Sequence, residues 1–492
     1  MDRMSPLDAS FIHIEDANNP MHIGSVVVFE GPAPAYGDLV RQVASKLPLV
    51  PRYRQKVREV PFQLGRPVWI DDPHFTILYH IRRTGVPAPG GDDELRNLAG
   101  RVLAQHLDRA RPLWELWMVE GLKGDRWALI AKTHHAMVDG VSGTDLLAVL
   151  LDVSPDGAAP VDMEWRAQPE PNALQLLADT AVSSVMDPMT HMRGLPAVAR
   201  TPLASLSYVQ DILGGTLSQA MRLARPGAPG LNGPIGPHRR WSWARGSLAD
   251  VKEIREAFGG TVNDVVLAVI TRGFGDLLRG RGIELQGRVV RTLVPVSVRA
   301  PHERGTYNNR VSGIFAELPV EERDAVARLH RLSEQMQGLK HTSQAVAGDV
   351  LARMGGFAPP MLLALGARLG TIWPQRSVNT VTTNVPGPQI PLYACGRRML
   401  EAYPYVPIGG NIRIAIAIFS YCGVLNFGVT GDYDSVTDLD VLVGGIEAGL
   451  QELLDQARKG ARSKVRRRPA RKPSAARASA ARAARPRRLR KS

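Results

Sequence analysis

A stretch rich in Pro, Ala, Gly and acidic residues, 154–171, and a Pro/Gly-rich one, 225–237 (RPGAPGLNGPIGP), interrupt a chain that otherwise alternates strand-like and helix-like segments, and both read as connectors. They leave a half on either side that is long enough to bury its own core. With 492 residues the length suits two or three folding units. Hydrophobic residues at 44% and charged residues at 22% are the proportions of a globular protein.

The pattern before the first connector predicts a strand over 22–29 (HIGSVVVF), helices over 36–47 and about 93–107, a buried strand over 126–132 (RWALIAK) and a buried helix over 143–151. Helical segments over 172–186 and 203–223 lie between the connectors. The second half predicts a strand over 240–244, helices over 248–258 and 262–278, strands over 289–298 and 311–318, and a helix over 321–339. An apolar helix over 361–372, strands over 378–384, 412–421 and 424–432, and a last helix over 439–457 complete it. Such irregular alternation favours two α/β (α+β) sandwich domains over a barrel or solenoid. The predicted units are an N-terminal domain 1–153, a connector with bridging helices 154–237, a C-terminal domain 238–457 and a tail 458–492.

A formal charge of +14 would ordinarily direct a chain to nucleic acid or an anionic membrane, so its location matters. Sixteen of the 61 Lys and Arg fall in 458–492, which holds no Asp or Glu, leaving 45 basic against 47 acidic residues in 1–457. The body is close to neutral. The excess sits in an Arg/Ala/Pro/Ser tail with too little apolar surface to offset the entropy of ordering, so a disordered segment is expected there. That tail could remain solvated, touch an anionic bilayer with on the order of 1 kcal/mol per basic residue, or contact nucleic acid. Cys395 and Cys422 are the only cysteines. No secretion signal and no apolar run of about 18 residues occurs, so a cytoplasmic chain that does not span a membrane is expected.

The strand over 126–132 leads into Thr133-His134-His135-Ala136-Met137-Val138-Asp139-Gly140. Neighbouring residues of an extended segment face opposite ways. One histidine can therefore face a cleft while the other packs behind it, and the two are poor candidates for a shared metal ion. No H-x-x-x-H spacing occurs either, so no metal site is expected. Asp139 lies four residues after His135, and Gly140 permits a sharp turn that could hold the ring rigid. Ser142, followed by Thr144 and Asp145, has the spacing of an N-cap, and a helix N-terminus beside a histidine stabilises developing negative charge. On residue types alone, such a cluster is more often hydrogen-bonded structure than catalysis.

HHAMVDG is similar to the HHxxxDG motif of acyl-CoA-dependent acyltransferases and peptide-synthetase condensation domains. Further segments resemble one branch of that group, the bacterial wax ester synthase/diacylglycerol acyltransferase family. They are SPLDASFIHIED and NPMHIG near the N-terminus, RPLWEL at 111–116, VNDVVLAV at 262–269, LVPVSVR at 293–299, NNRVS at 308–312 and TNVPGP at 383–388. The likeness runs in order from about residue 4 to 457. It implies two chloramphenicol-acetyltransferase-like sandwich domains with a substrate tunnel at their interface, acyl-CoA entering from one side and the hydroxyl acceptor from the other.

The resemblance also implies O-acyl transfer from long-chain acyl-CoA to diacylglycerol, with wax ester formation from a long-chain alcohol as a side or alternative activity. Acyl-CoA would be a co-substrate, with no tightly bound cofactor. His135 would be the general base, since a neutral imidazole with a pKa near about 6.5 can take a proton that an alcohol hardly releases unaided. No acyl-enzyme is required: neither cysteine sits in a nucleophile motif and a G-x-S-x-G elbow is absent. His134 would pack behind the ring, and Asp139 with Gly140 would orient the loop. Asn263 could donate to the thioester carbonyl or its oxyanion, or merely cap its helix. Asp264 and Ser142 are counted with it as substrate-binding positions. Pro112, Leu113 and Trp114 belong to the tunnel wall or to plain core, and Asn384, Pro386 and Gly387 to a rigid turn near the domain interface. The DFGWG segment of the wider superfamily is reduced to NFGVT at 426–430, which puts CoA contact there in doubt. Insoluble substrates imply peripheral association with the inner membrane or lipid droplets. The competing readings are a catalytically silent lipid-binding protein of the same fold, and a nucleic-acid or membrane tether acting through the tail.

Overall fold

The structure, a computed structural model, describes residues 2–137, 149–157, 165–182, 227–297, 311–341 and 377–467. The first half carries β1 (Asp2–Arg3), α1 (Pro6–Ile14), β2 (His22–Phe29), α2 (Tyr36–Lys46), β3 (Gln55–Arg58), β4 (Val68–Asp71), β5 (Ile81–Gly85), α3 (Asp92–Ala104), β6 (Trp114–Leu122) and β7 (Arg126–His134). The second carries β8 (Arg239–Ser247), α4 (Leu248–Phe258), α5 (Val262–Gly280), β9 (Val290–Ser297), β10 (Val311–Leu318) and α6 (Ala325–His341). It continues with β11 (Thr380–Val385), β12 (Tyr393–Ala394), β13 (Arg397–Tyr405), β14 (Ile414–Tyr421), β15 (Val424–Asp432) and α7 (Leu439–Arg467).

Two six-stranded mixed sheets dominate, ordered β12-β13-β2-β7-β6-β5 and β10-β9-β11-β14-β15-β8, beside a small β1-β4-β3 sheet. β7 reads as a continuous apolar run because the first sheet is covered on both faces: Trp127, Leu129 and Ala131 join one core cluster and Ala128 and Ile130 another. In the second half, α4 starts where Ser247 Oγ accepts from the Asp250 amide at 3.2 Å, the cap that its sequence predicts. α5 is buried nearly all round and lies against α7, whose approach needs a bare backbone: a Cβ on Gly273 would stand 2.7 Å from the Leu442 carbonyl oxygen.

The first sheet does not come from the first half alone. β13 pairs antiparallel with β2, from Met399 opposite Phe29 to Tyr405 opposite Gly24, and β12 extends the ribbon. The unit expected over 238–457 therefore gives up 393–405, and a cut at the connectors does not separate the sheets. The physical reason is the edge that β2 would otherwise expose, with Val26, Val27 and Val28 on it. β6 and β13 were not predicted as strands.

A second join is side-chain packing. Leu95, Leu98 and Val102 of α3 share one buried cluster with Val26 and Ile130 of the first sheet, Trp241 and Trp243 of β8, and Tyr403 of β13. Trp243 stacks on Tyr403 at 4.4 Å. Arg245 extends this seam, donating to Asp92 at 3.1 Å and pairing with Glu401 at 3.0 Å. At the C-terminus α7 passes the expected end at 457 and runs to Arg467, with Arg458 held by Glu253 at 3.1 Å and Asp250 at 3.3 Å. The helices predicted over 203–223 and 361–372, most of that over 143–151, and the tail from 468 onward lie outside the described residues.

The two sheets approach closely at Gly428, where an added Cβ would stand 1.7 Å from the Pro404 carbonyl oxygen. Backbone cannot give way there without parting the sheets. Gly428→Ala is expected to destabilise the fold by on the order of 3 kcal/mol, read as a lower urea midpoint at unchanged slope; a wild-type midpoint would contradict this seam.

Candidate active site

The site begins with the cap of α1. Ser5 Oγ accepts from the Asp8 amide at 3.1 Å and Pro6 occupies the first turn, both favourable at a helix start. This is what the SPLDASF segment does physically. Its helix then carries Ala9 and Ile12 into a buried cluster with Met4, Trp69, Leu107, Leu113 and Ala136, with Phe11 and Met137 packed against it. α1 thereby lies directly on the turn His135–Met137 that follows β7.

His134, the last residue of β7, sits opposite His22 in the β2 ladder and is fully buried. Its amide donates to the Leu113 carbonyl at 2.9 Å, and its Nδ1 accepts from the Ala136 amide at 3.0 Å. His135 faces the other way, as alternation requires. Its ring stacks on Phe11 at 4.0 Å and 23°, and its amide donates to the Met21 carbonyl at 2.8 Å. Burial pushes the His135 pKa down to about 4 against the partial support of the residue's own backbone carbonyl, with His134 adding to the depression. Nδ1 is buried and makes no full hydrogen bond. The ring is therefore uncharged near neutral pH.

Behind the pair lies Glu15, which immediately follows α1. Its carboxylate is 5% exposed, accepts from Arg109 at 2.9 and 2.7 Å and from the Met21 amide at 3.1 Å, and stands 3.7 Å from His134 Nε2. Burial alone would raise its pKa, but His134 and Arg109 outweigh burial and hold the carboxyl well below the usual range. Sequence reasoning did not single out Phe11, Glu15 or Arg109. The available signal was a carboxylate closing an otherwise apolar FIHI turn in a recognised motif.

Asp139, Gly140 and Ser142 lie outside the described residues. Leu113 is fully buried and Trp114 nearly so; the Trp114 indole donates to the Tyr53 carbonyl at 2.8 Å and stacks on His80 at 4.5 Å, so it is core of the first half, and Pro112 beside it is also buried. Asn263 is not the helix cap. That role falls to Thr261, whose Oγ1 accepts from the Asp264 amide at 3.2 Å while Asp264 Oδ2 accepts from the Thr261 amide at 2.8 Å. Asp264, expected to bind substrate, is instead 1% exposed and engaged in that capping box. Asn384 donates to Asn263 at 3.5 Å, so the VND and TNVPGP segments meet. Gly387 donates its amide to Ser420 Oγ at 3.2 Å. In NFGVT, the Asn426 side chain is buried without a partner. A cavity of about 270 Å³ lies elsewhere, between the 58–63 loop and Ala173 and Leu176, and none of the expected site residues lines it. Among the described residues no helix is long and apolar enough to cross a membrane, and no group of three His, Cys, Asp or Glu is placed to hold a metal ion.

Residues 4–266 match the family model described as the wax ester synthase/diacylglycerol acyltransferase catalytic domain, and 307–454 match the WS/DGAT C-terminal domain. A Mycobacterium tuberculosis protein named probable diacyglycerol O-acyltransferase tgs1 is 36% identical over 96% of this chain and 99% of its own. Among solved structures, the wax ester synthase/diacylglycerol acyltransferase from Marinobacter aquaeolei VT8 superposes with a TM-score of 0.65 at 26% identity, covering 93% of this chain and 100% of that one. The first condensation domain of the calcium-dependent antibiotic synthetase has a TM-score of 0.58 at 18% identity, covering 93% and 96%. With that domain the chain shares the fold.

Burial also holds His22 well below its ordinary pKa, with Lys132 adding to it, and lowers His80. The unfolded chain takes up these protons near about pH 6.5 and the folded chain resists them, so the unfolded state binds more protons below that pH and stability falls as the pH drops. Glu15 acts with the same sign in a lower window: its folded-state pKa is also depressed, so its contribution is complete above the ordinary carboxyl range and is lost only as the pH falls below it. The urea midpoint is therefore expected to be lower at about pH 5.5 than at about pH 7.5; equal midpoints would show that these rings are not held neutral.

Proposed function

Because the chain belongs to the wax ester synthase/diacylglycerol acyltransferase family and is an acyltransferase, we propose that it moves a long-chain acyl group from acyl-CoA to diacylglycerol, giving triacylglycerol and CoA. Wax ester synthesis from a long-chain alcohol is a further reaction of the same site. The observation that carries the reading is the His135 ring: uncharged, stacked on Phe11, and tied through its own amide to Met21.

The base role is given to Nε2, because Nδ1 is buried without a hydrogen-bond partner. Nε2 takes the acceptor's hydroxyl proton as the oxygen attacks the thioester carbon. The tetrahedral oxyanion collapses, the C–S bond breaks, and the imidazolium returns the proton to the CoA sulfur. Atoms balance with no acyl-enzyme and no bound cofactor. A pKa of about 4 keeps the base form complete but makes it a weak proton acceptor; negative charge developing beside the ring offsets that weakness during the reaction. Asn263, whose Oδ1 accepts from Asn384, has its amide N–H groups to offer the oxyanion. Asp139 and Gly140 serve to orient the loop, and Ser142 serves as a substrate-binding position, roles carried by the family motif alone. Leu113 contributes through its backbone, by holding His134.

The two substrates meet between units 1–153 and 238–457, the second without its 393–405 ribbon, in a tunnel that takes the acyl chain at about 0.8 kcal/mol per buried methylene. Substrate insolubility brings the protein to the inner membrane or to lipid droplets as a peripheral guest, assisted by the basic tail.

The purified chain is expected to release CoA from palmitoyl-CoA only when diolein or hexadecanol is present. Release without acceptor would make it a thioesterase, and lipid association without turnover a binding protein of the same fold. His135→Ala should lower kcat by about 100- to 10,000-fold. For the wild type, kcat/KM should show no inflection near about pH 6.5 and should fall only toward about pH 4, which a pH–rate series checks.

A further inference from the structure

We infer that Glu15 is a positioning residue for the His135 base: its buried carboxylate fixes the tautomer of His134 and holds Met21, so that the turn carrying His135 is gripped through both of its neighbours. This rests on the reading of His135 as base, and it adds a residue from a different part of the chain, 120 positions away.

The first grip runs through His134. Its Nδ1 accepts a hydrogen bond from the Ala136 amide at 3.0 Å, and an atom that accepts from an N–H cannot carry a proton of its own. In the neutral ring the proton is therefore on Nε2. That nitrogen is buried and has no hydrogen-bond partner; the Glu15 carboxylate stands 3.7 Å away, too far for a hydrogen bond and close enough for its charge to favour N–H there. The opposite tautomer would set an N–H against the Ala136 N–H and turn the Nε2 lone pair toward a carboxylate. Either change would loosen the turn His135–Met137.

The second grip runs through Met21. Glu15 Oε1 accepts from the Met21 amide at 3.1 Å, and the Met21 carbonyl accepts from the His135 amide at 2.8 Å. One carboxylate thus reaches the base along two paths. Arg109 aims it, donating from Nε and Nη2 to Oε2 at 2.9 and 2.7 Å and from Nη2 to the Ile12 carbonyl at 2.7 Å. A purely structural Glu15, closing the end of α1, would need the Arg109 contacts but would be indifferent to the position of the proton on His134. That difference makes the two roles separable.

The test uses the full chain labelled with 15N-histidine, with two-bond imidazole NMR correlations assigned through a His134→Asn variant. Wild-type His134 is expected in the Nε2–H form. Glu15→Gln should lose that single form and lower kcat for palmitoyl transfer to diolein by about tenfold or more, with the KM for palmitoyl-CoA within about twofold, since a group that only positions the base does not bind substrate. Glu15→Asp keeps the charge and should retain the Nε2–H form with kcat between the two. If Glu15→Gln does not fold, the wild-type spectrum and Glu15→Asp still decide. A wild-type His134 protonated on Nδ1, a Glu15→Gln enzyme with wild-type kcat, or a Glu15→Asp enzyme no better than Glu15→Gln would each overturn the proposal. His135→Ala measured alongside keeps the two ideas apart: full activity in that variant defeats the base reading itself, whatever the His134 spectrum shows.

Discussion

The ladder between β2 and β7 sets which histidine does what. His22 lies opposite His134, and the pairing continues without a bulge to Phe29 opposite Trp127. A slip of one residue would turn every side chain of β7 to the other face, exchanging His134 for His135 and moving Lys132 into the place of Thr133. Such a slip is strongly disfavoured because the strand is buried on both sides, with Trp127, Ala128 and Ile130 fully covered. An imidazole proposed as a base needs its position fixed to a fraction of an ångström, and at His135 the apolar packing of β7 several residues away supplies that constraint.

Electrostatics beneath the site follow from the same burial. Lys132, on the His134 side of the strand, has a fully covered side chain, yet it donates to the Gln105 carbonyl at 2.7 Å and lies 3.4 Å from Glu115, which also pairs with Arg82 at 2.9 Å. Burial lowers the Lys132 pKa and Glu115 works against that. The ammonium in turn helps burial keep His22 neutral, and His22 Nε2 meets the Leu103 carbonyl at 2.6 Å. Charge is thus confined to two compensated groups, Lys132 with Glu115 and Glu15 with Arg109. Of the histidines between them, His22 and His135 are kept uncharged by burial, which is the state a base must be in before it takes a proton.

Legibility in the sequence tracked locality. The helices starting at Leu248 and Val262 were readable because their caps, Ser247 and Thr261, stand beside them in the chain, and β2 because Val26–Phe29 form an unbroken apolar run. β6 was missed since Glu115 interrupts its run; that acid is tolerated only because Lys132 and Arg82 arrive from other strands. β13 was missed because Arg397, Arg398, Glu401 and Pro404 spoil its alternation, and its partner β2 lies more than 360 positions away. In the site, the backbone alternation that sends His134 inward and His135 outward followed from adjacency alone. Glu15 gains its meaning from Arg109 and His134, which no local pattern connects to it, and Asp264 was misassigned because a capping carboxylate and a ligand-binding one look alike until the partner amide is seen.

The crossing of β13 into the first sheet bears on how the two proposed substrates, an acyl-CoA and a lipid acceptor, are brought together. A hinge between the halves would have to unzip β13 from β2, break the Trp243–Tyr403 stack and strip Arg245 from Asp92 and Glu401. Each of those is buried or part-buried, and the ladder alone spans six residues of β2 on one side. The frame around β7 therefore works as one rigid piece. The direct transfer proposed for His135 suits such a frame: a reaction that stores no acyl group on the protein needs donor and acceptor aligned at the same moment, and alignment is what a stitched pair of sheets supplies at no further entropic cost during the reaction.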